Sequence, residues 1–220
     1  MRTLVATLLL AAGLAAFATP STLVTIPSTD MQAAGTWRLG ADTVVPMTAS
    51  ESVPFFDLGL TYGASPRVEV GVDFISPADT PLWLNAKVLV LTPARSPVPV
   101  AVGVYNFGTN EAENQRVLYA VGSYVLPVAD GLRLTAGAWQ ANDKAAAIGT
   151  EDTGIMLGLD TTIGKWWLGA DYVSGDSALG SVNVGVGYAL TDSIGVILGY
   201  DHYNASGATD AVNFQLDVNF

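Results

Sequence analysis

The sequence predicts an all-β fold, a closed antiparallel transmembrane β-barrel of about twelve strands. Three observations lead there. Past residue 35 the apolar residues recur with period two, the spacing of a strand, and not 3.6. The face opposite the apolar one is rich in glycine and poor in lysine. An export-type leader comes first.

That leader is Met1 to Ala18: Arg2, an apolar run from Leu4 through Ala16, and the small-x-small ending Ala16-Phe17-Ala18. It is shorter than the roughly 20 apolar residues a spanning helix needs, so residues 1–18 are expected to be a removable signal peptide. Residues 19–35 follow as an N-terminal periplasmic segment, free either to hang below the barrel or to thread its lumen. The barrel is expected over residues 36–220.

The first apolar row is Trp37, Leu39, Ala41 and Thr43, with Arg38, Gly40, Asp42 and Val44 opposite. Rows two to four are Phe56 to Tyr62, Val68 to Phe74 and Leu82 to Val90, each counted by twos. The fifth is Val98 to Val104, the sixth Val117, Tyr119, Val121 and Val125, the seventh Leu132 to Ala138. Ile155 to Leu159, Trp166 to Tyr172, Val182 to Tyr188, Ile194 to Tyr200 and Val212 to Phe220 complete the twelve. Between them stand turn sequences such as Ala64-Ser65-Pro66, Ala129-Asp130-Gly131 and Thr191-Asp192-Ser193. The alternate connections are longer and more acidic.

Alternation alone does not say which face is wet. A soluble sheet shows its polar face to water, usually armed with Lys, Glu and Thr, whereas a membrane barrel turns that face inward. Here the polar face carries Gly40, Gly59, Gly71, Gly103, Gly122, Gly137, Gly158, Gly169, Gly185 and Gly187, which suits a crowded barrel interior. With both termini periplasmic, the outward aromatics sort into two bands. Trp37, Tyr62, Trp166, Tyr188 and Phe220 lie at one end, and Phe56, Phe74, Tyr172, Tyr200 and Phe214 at the other, as headgroup regions select.

The C-terminal run Val212 to Phe220, alternating and ending on Phe220, resembles the assembly signal of bacterial outer-membrane β-barrel proteins. The resemblance implies a porin-like barrel in the outer membrane of a Gram-negative-type bacterium, delivered to the barrel-assembly machinery through that strand. Ile26-Pro27-Ser28-Thr29-Asp30 ahead of Gly35-Thr36-Trp37 resembles the start of several barrels, some linked to polysaccharide export.

Composition narrows the function classes. Charged residues are 13%, hydrophobic residues 50%, cysteine is absent and the net charge is -11. A chain so acidic lacks the basic footprint of a nucleic-acid binder, and without cysteine there is no disulfide or thiolate chemistry. No phosphate loop, nucleotide fingerprint or metal-spacing motif stands out, so no cofactor or metal is expected.

The inward charges are the candidate site. Repeated Gly-x-Asp triplets place Asp42, Asp73, Asp171 and Asp201 on the inner face near the external end, and Asp57 joins them as an acidic pore lining. The basic pore lining is Arg38, Arg67, Lys87, Arg116, Arg133 and Lys165, with Glu69, Asp160 and Asp217 among it. Asp217 and Arg38 are candidates to pair across the closing seam. The external connections hold Glu51, Asp79, Glu111, Glu113, Asp143, Glu151, Asp152, Asp176 and Asp210 against Lys144 alone, and such a mouth concentrates cations.

These features point to a narrow passive pore for ions or small hydrophilic solutes, mildly cation-preferring and not an enzyme. The alternative is a closed structural or docking barrel in the envelope. A third reading, an interfacial hydrolase, would rest on His202, the one histidine, with Ser206 nearby in sequence. Outer-membrane lipid is the expected surround.

Overall fold

The structure, a computed structural model, describes residues 21–48, 53–78, 82–109, 114–127, 131–142 and 151–220. Twelve strands run through them: β1 (Trp37–Pro46), β2 (Phe55–Ser65), β3 (Val68–Ser76), β4 (Leu82–Leu91), β5 (Val100–Gly108) and β6 (Val117–Val125), then β7 (Arg133–Ala141), β8 (Thr153–Ile163), β9 (Trp166–Val173), β10 (Ser181–Ala189), β11 (Ile194–Tyr203) and β12 (Ala211–Asn219). Each pairs antiparallel with its sequence neighbours, and β12 pairs with β1, so the sheet closes with no edge. Closure leaves no strand with an unpaired edge, the condition for crossing a bilayer.

One rim carries the start of β1, the C-terminal Phe220 and the two shortest turns. Pro66 and Arg67 join β2 to β3, and Gly164 and Lys165 join β8 to β9, with Gly164 at a φ of 62° that a side chain would resist. The other rim carries the longer connections. Leu39, Leu58, Leu84, Leu157, Val184, Leu198 and Phe214 face outward and are exposed, an apolar surface of a kind soluble monomers rarely leave bare. Trp37 stacks on Tyr62 with ring centroids 4.5 Å apart, and Trp166 meets Tyr188 at 4.7 Å, both at the turn rim.

The sixth strand departs from the sequence expectation. Val117, Tyr119 and Val121 are buried inside the barrel, while Leu118 and Tyr124 take the outer face. Strand β6 is apolar on both faces, so periodicity could not orient it. The inner row is apolar because it joins a second core within the lumen.

That core comes from residues 21–35. Ser21 to Ser28 form a tight hairpin, with the Leu23 amide donating to the Ile26 carbonyl at 2.7 Å and the Ser28 amide to the Ser21 carbonyl at 2.8 Å. Leu23, Val24 and Ile26 are fully buried and cluster with Trp139, Met156, Trp167 and Ile197 of the wall. Of the two courses open to this segment, it takes the inner one: it rises from the turn rim inside the barrel.

Candidate functional site

Glycine makes the seat for the hairpin. A Cβ on Gly158 would stand 2.5 Å from Leu23 Cδ2 and 2.9 Å from Ile26 Cδ1, and one on Gly185 would stand 3.0 Å from Val24 Cγ2. At the turn rim, a Cβ on Gly63 would collide with the backbone carbonyls of Gln32 and Ala33. Gly63, Gly158 and Gly185 therefore mark where a second chain segment lies against the wall.

Polar wall residues fix the hairpin in place. Asp171 Oδ2 accepts the backbone amides of Val24, Thr25 and Ile26 at 2.8, 2.8 and 3.2 Å, and Asp171 Oδ1 accepts the Thr25 hydroxyl at 2.9 Å. Successive amides around one carboxylate form an anion nest, here with the anion supplied by the wall. Asn183 donates to Thr25 Oγ1 and to Asp171, and Gln215 donates to the Val24 carbonyl at 2.8 Å. Lower down, Arg133 clasps Asp160 through Nε and Nη2, both at 2.9 Å, and reaches Asp30 through Nη1 at 2.7 and 2.8 Å. Glu69 accepts the Gln32 amide at 2.7 Å and pairs with Lys87 at 3.0 Å. Lys87 also donates to the carbonyls of Ser21 and Asp30.

The hairpin fills only part of the lumen. Between it and the wall from β11 through β12 and β1 to β6 remains a cavity of about 400 Å³. Asp42, Asp57, Asp73 and Asp201 line it, and Arg38, Glu69, Lys87 and Asp217 lie deeper, nearer the turn rim. Lys87 is committed to Glu69, and Arg38 Nε stands 3.5 Å from Asp217 Oδ1, an ion pair across the β1–β12 seam. Among the described residues no base lies within 4 Å of Asp42, Asp57, Asp73 or Asp201. Asp42 and Asp57 are direct cross-strand partners, a like-charge pairing that ordinarily destabilises a sheet. Asp73 and Asp201 are held by the amides of Asn85 and Asn213.

Several candidate residues lie elsewhere. Asp171 does not join the ring: it is 4% exposed and absent from the cavity wall, its acceptors taken by the hairpin. Arg133 is likewise drawn off the cavity by its two carboxylates. Arg67 and Lys165 occupy the exposed two-residue turns, where their charges reach water without desolvation. Arg116 sits in the connection before β6 and does not line the cavity. Of the rim acids, Glu51, Asp79, Glu111, Glu113 and Asp143 lie outside the described residues, as does Lys144. Glu151 accepts the Asp176 amide at 2.7 Å and so ties two connections together.

His202 is 60% exposed on the outer rim, with Nδ1 2.8 Å from Asp210 Oδ1. The Tyr200 hydroxyl donates to the other Asp210 oxygen. That hydroxyl first, and His202 second, hold the Asp210 carboxyl below its ordinary range. Among the described residues no serine or threonine hydroxyl contacts His202, so the geometry gives an acid–imidazole pair without a nucleophile.

The fold is one already seen in solved outer-membrane proteins. The chain is similar to a KdgM porin, with a TM-score of 0.56 at 9% identity over 83% of this chain and 98% of that one. It is also similar to the Acinetobacter baumannii outer membrane protein Omp33, with a TM-score of 0.51 at 13% identity over 84% and 97%. A NanC porin gives 0.51 at 10% identity over 84% and 98%. No protein-family model matches the chain. No curated protein matches it either. What the chain shares with these proteins is the architecture, a closed antiparallel β-barrel, here of twelve strands.

Proposed function

We propose that the protein is a narrow passive channel of the outer membrane for small hydrophilic solutes, with a preference for cations. The observation that carries this reading is the cavity beside the hairpin, lined by four carboxylates that have no basic partner within 4 Å among the described residues. Carboxylate-lined passages with low-dielectric walls concentrate cations and repel anions. Asp42, Asp57, Asp73 and Asp201 form the attracting wall in this reading, and the Arg38–Asp217 and Glu69–Lys87 pairs set its floor. The hairpin narrows the lumen of twelve strands, which lies between the filled eight-stranded barrel and the open sixteen-stranded porin.

A KdgM porin has been solved in complex with disordered oligogalacturonate, an acidic sugar chain. The lining here bears the same sign as such a chain, so the solutes proposed for this channel are neutral or cationic. No catalytic step is part of the reading. Residues 1–18 serve in it as a leader removed on export, and the strand ending at Phe220 as the segment the assembly machinery receives.

Proteoliposome swelling tests the proposal. Vesicles carrying the folded barrel are expected to swell in isosmotic glycine or arabinose and in lysine hydrochloride, but far more slowly in sodium galacturonate. Vesicles that stay rigid in every solute would favour the second reading, a closed structural or docking barrel. The observation behind that alternative is the fixation of the hairpin by buried carboxylates at its tip and base.

A further inference from the structure

The acidic cavity carries unmet hydrogen-bonding capacity that a bare charged passage does not need. Trp83 is 8% exposed, lines the cavity, and its indole N–H finds no partner among the described residues. Asn213 is 3% exposed, lines the same space, and its Oδ1 is also unpartnered. Asp57 Oδ1 is buried and accepts nothing. Polar groups buried in this way are rare and call for a ligand or an ordered water to complete them.

Trp83 stands directly opposite Asp73 across β3 and β4, so a ring and a carboxylate share one place on the wall. Phe55 and Tyr203 add aromatic surface to the cavity. Aromatic faces beside carboxylates recognise organic cations, through the ring quadrupole and through charge-assisted hydrogen bonds. A bare metal ion fits less well, because among the described residues no three carboxylate or imidazole groups come close enough to hold one. The charges are spread along the wall, which suits a ligand with its own length. The volume of about 400 Å³ falls in the range of small-molecule pockets, roughly 300–1,000 Å³.

We infer that the cavity is a binding subsite for a small organic ammonium or guanidinium cation, held by Asp42 and Asp57 with Trp83 against its body. This deepens the channel reading and rests on it for its physiological meaning. The Trp83 N–H would meet an acceptor on the ligand and Asn213 Oδ1 a donor, so an amino or guanidino compound that also carries a hydroxyl or carbonyl satisfies all the open groups.

Isothermal titration of agmatine and of arginine amide into the full-length barrel, folded in detergent micelles, tests the assignment. Saturable binding is expected for both, tighter for arginine amide, whose carbonyl meets the indole. Glutarate and sucrose are expected to give no heat beyond dilution. Asp42→Asn/Asp57→Asn should weaken agmatine at least tenfold, and Trp83→Phe should remove the advantage of arginine amide. Absence of saturable binding, or affinities unchanged in the double variant, would overturn the site. If the double variant does not fold, as read from heat-modifiable gel migration, Trp83→Phe carries the test alone. Bilayer current without any organic cation separates the two claims. A cation-preferring pore that ignores agmatine keeps the channel and loses the site; a silent barrel that binds it keeps the site and loses the channel.

Discussion

Asp171 receives three backbone amides and a hydroxyl from a segment almost 150 positions earlier. Asp171→Ala strands three amide donors in a closed space. Hydrogen bonds to a charged group contribute about 1.5–3 kcal/mol each, and stranded donors cost on the same scale. The variant should lose on the order of 3–5 kcal/mol against denaturant, and Asp171→Asn less, since it keeps one acceptor. Urea titration followed by tryptophan fluorescence measures both; equal, negligible losses would mean the hairpin is held by its apolar contacts alone. Lys87 and Glu69, whose side chains are 3% and 7% exposed, make a second residue-scale case. Removing one partner of such a pair leaves a buried charge, at a cost of about 3–5 kcal/mol, whereas removing both is far milder. Lys87→Met should therefore be worse than Lys87→Met/Glu69→Gln in the same titration. The reverse order would place Lys87's contribution in its bonds to the Ser21 and Asp30 carbonyls.

At the level of the element, the hairpin was the least legible part of the sequence and the barrel strands the most. Strands announce themselves by period two, and eleven of the twelve apolar rows face outward as the pattern implies. The row of β6 faces inward, because Leu118 and Tyr124 are as apolar as Val117 and Val121 and parity has nothing to choose between. Residues 21–35 have no period and no helix cap, so only their contacts define them. The signal was nevertheless present on the wall. Gly158 and Gly185 on the inner face leave holes, and Leu23, Val24 and Ile26 are the side chains that fill them. A chain without cysteine makes this easy to check. Ile26→Cys should resist an aqueous maleimide in the folded barrel, while Val53→Cys, exposed in a connection at the opposite rim, should react at once. Rapid labelling at both positions would put the hairpin outside the lumen. Gly158→Leu should displace it and raise Ile26→Cys reactivity without abolishing the barrel.

For the whole molecule, the division of labour follows from the two faces of one sheet. The outer face gives an aliphatic belt with aromatic rims, which the hydropathy pattern foretold on every strand but β6. The inner face gives charges whose parity was readable but whose partners, the Arg38–Asp217 seam pair apart, were not. Arg133 and Asp171 read from sequence as members of opposing rings, yet each is satisfied locally, by Asp30 and Asp160 and by the hairpin amides. Ion pairing between distant strands and a folded-in terminus depends on which wall positions become neighbours, and one-dimensional spacing does not contain that. What survives of the ring is the four-carboxylate wall beside the hairpin. Its consequence is measured most directly by single-channel current of the refolded protein in a planar bilayer under a KCl gradient. Steady small openings with a reversal potential favouring K⁺, shifted towards zero in Asp42→Asn/Asp57→Asn/Asp73→Asn, are the predicted result. An inserted barrel that conducts with anion preference, or that stays silent, would contradict the account.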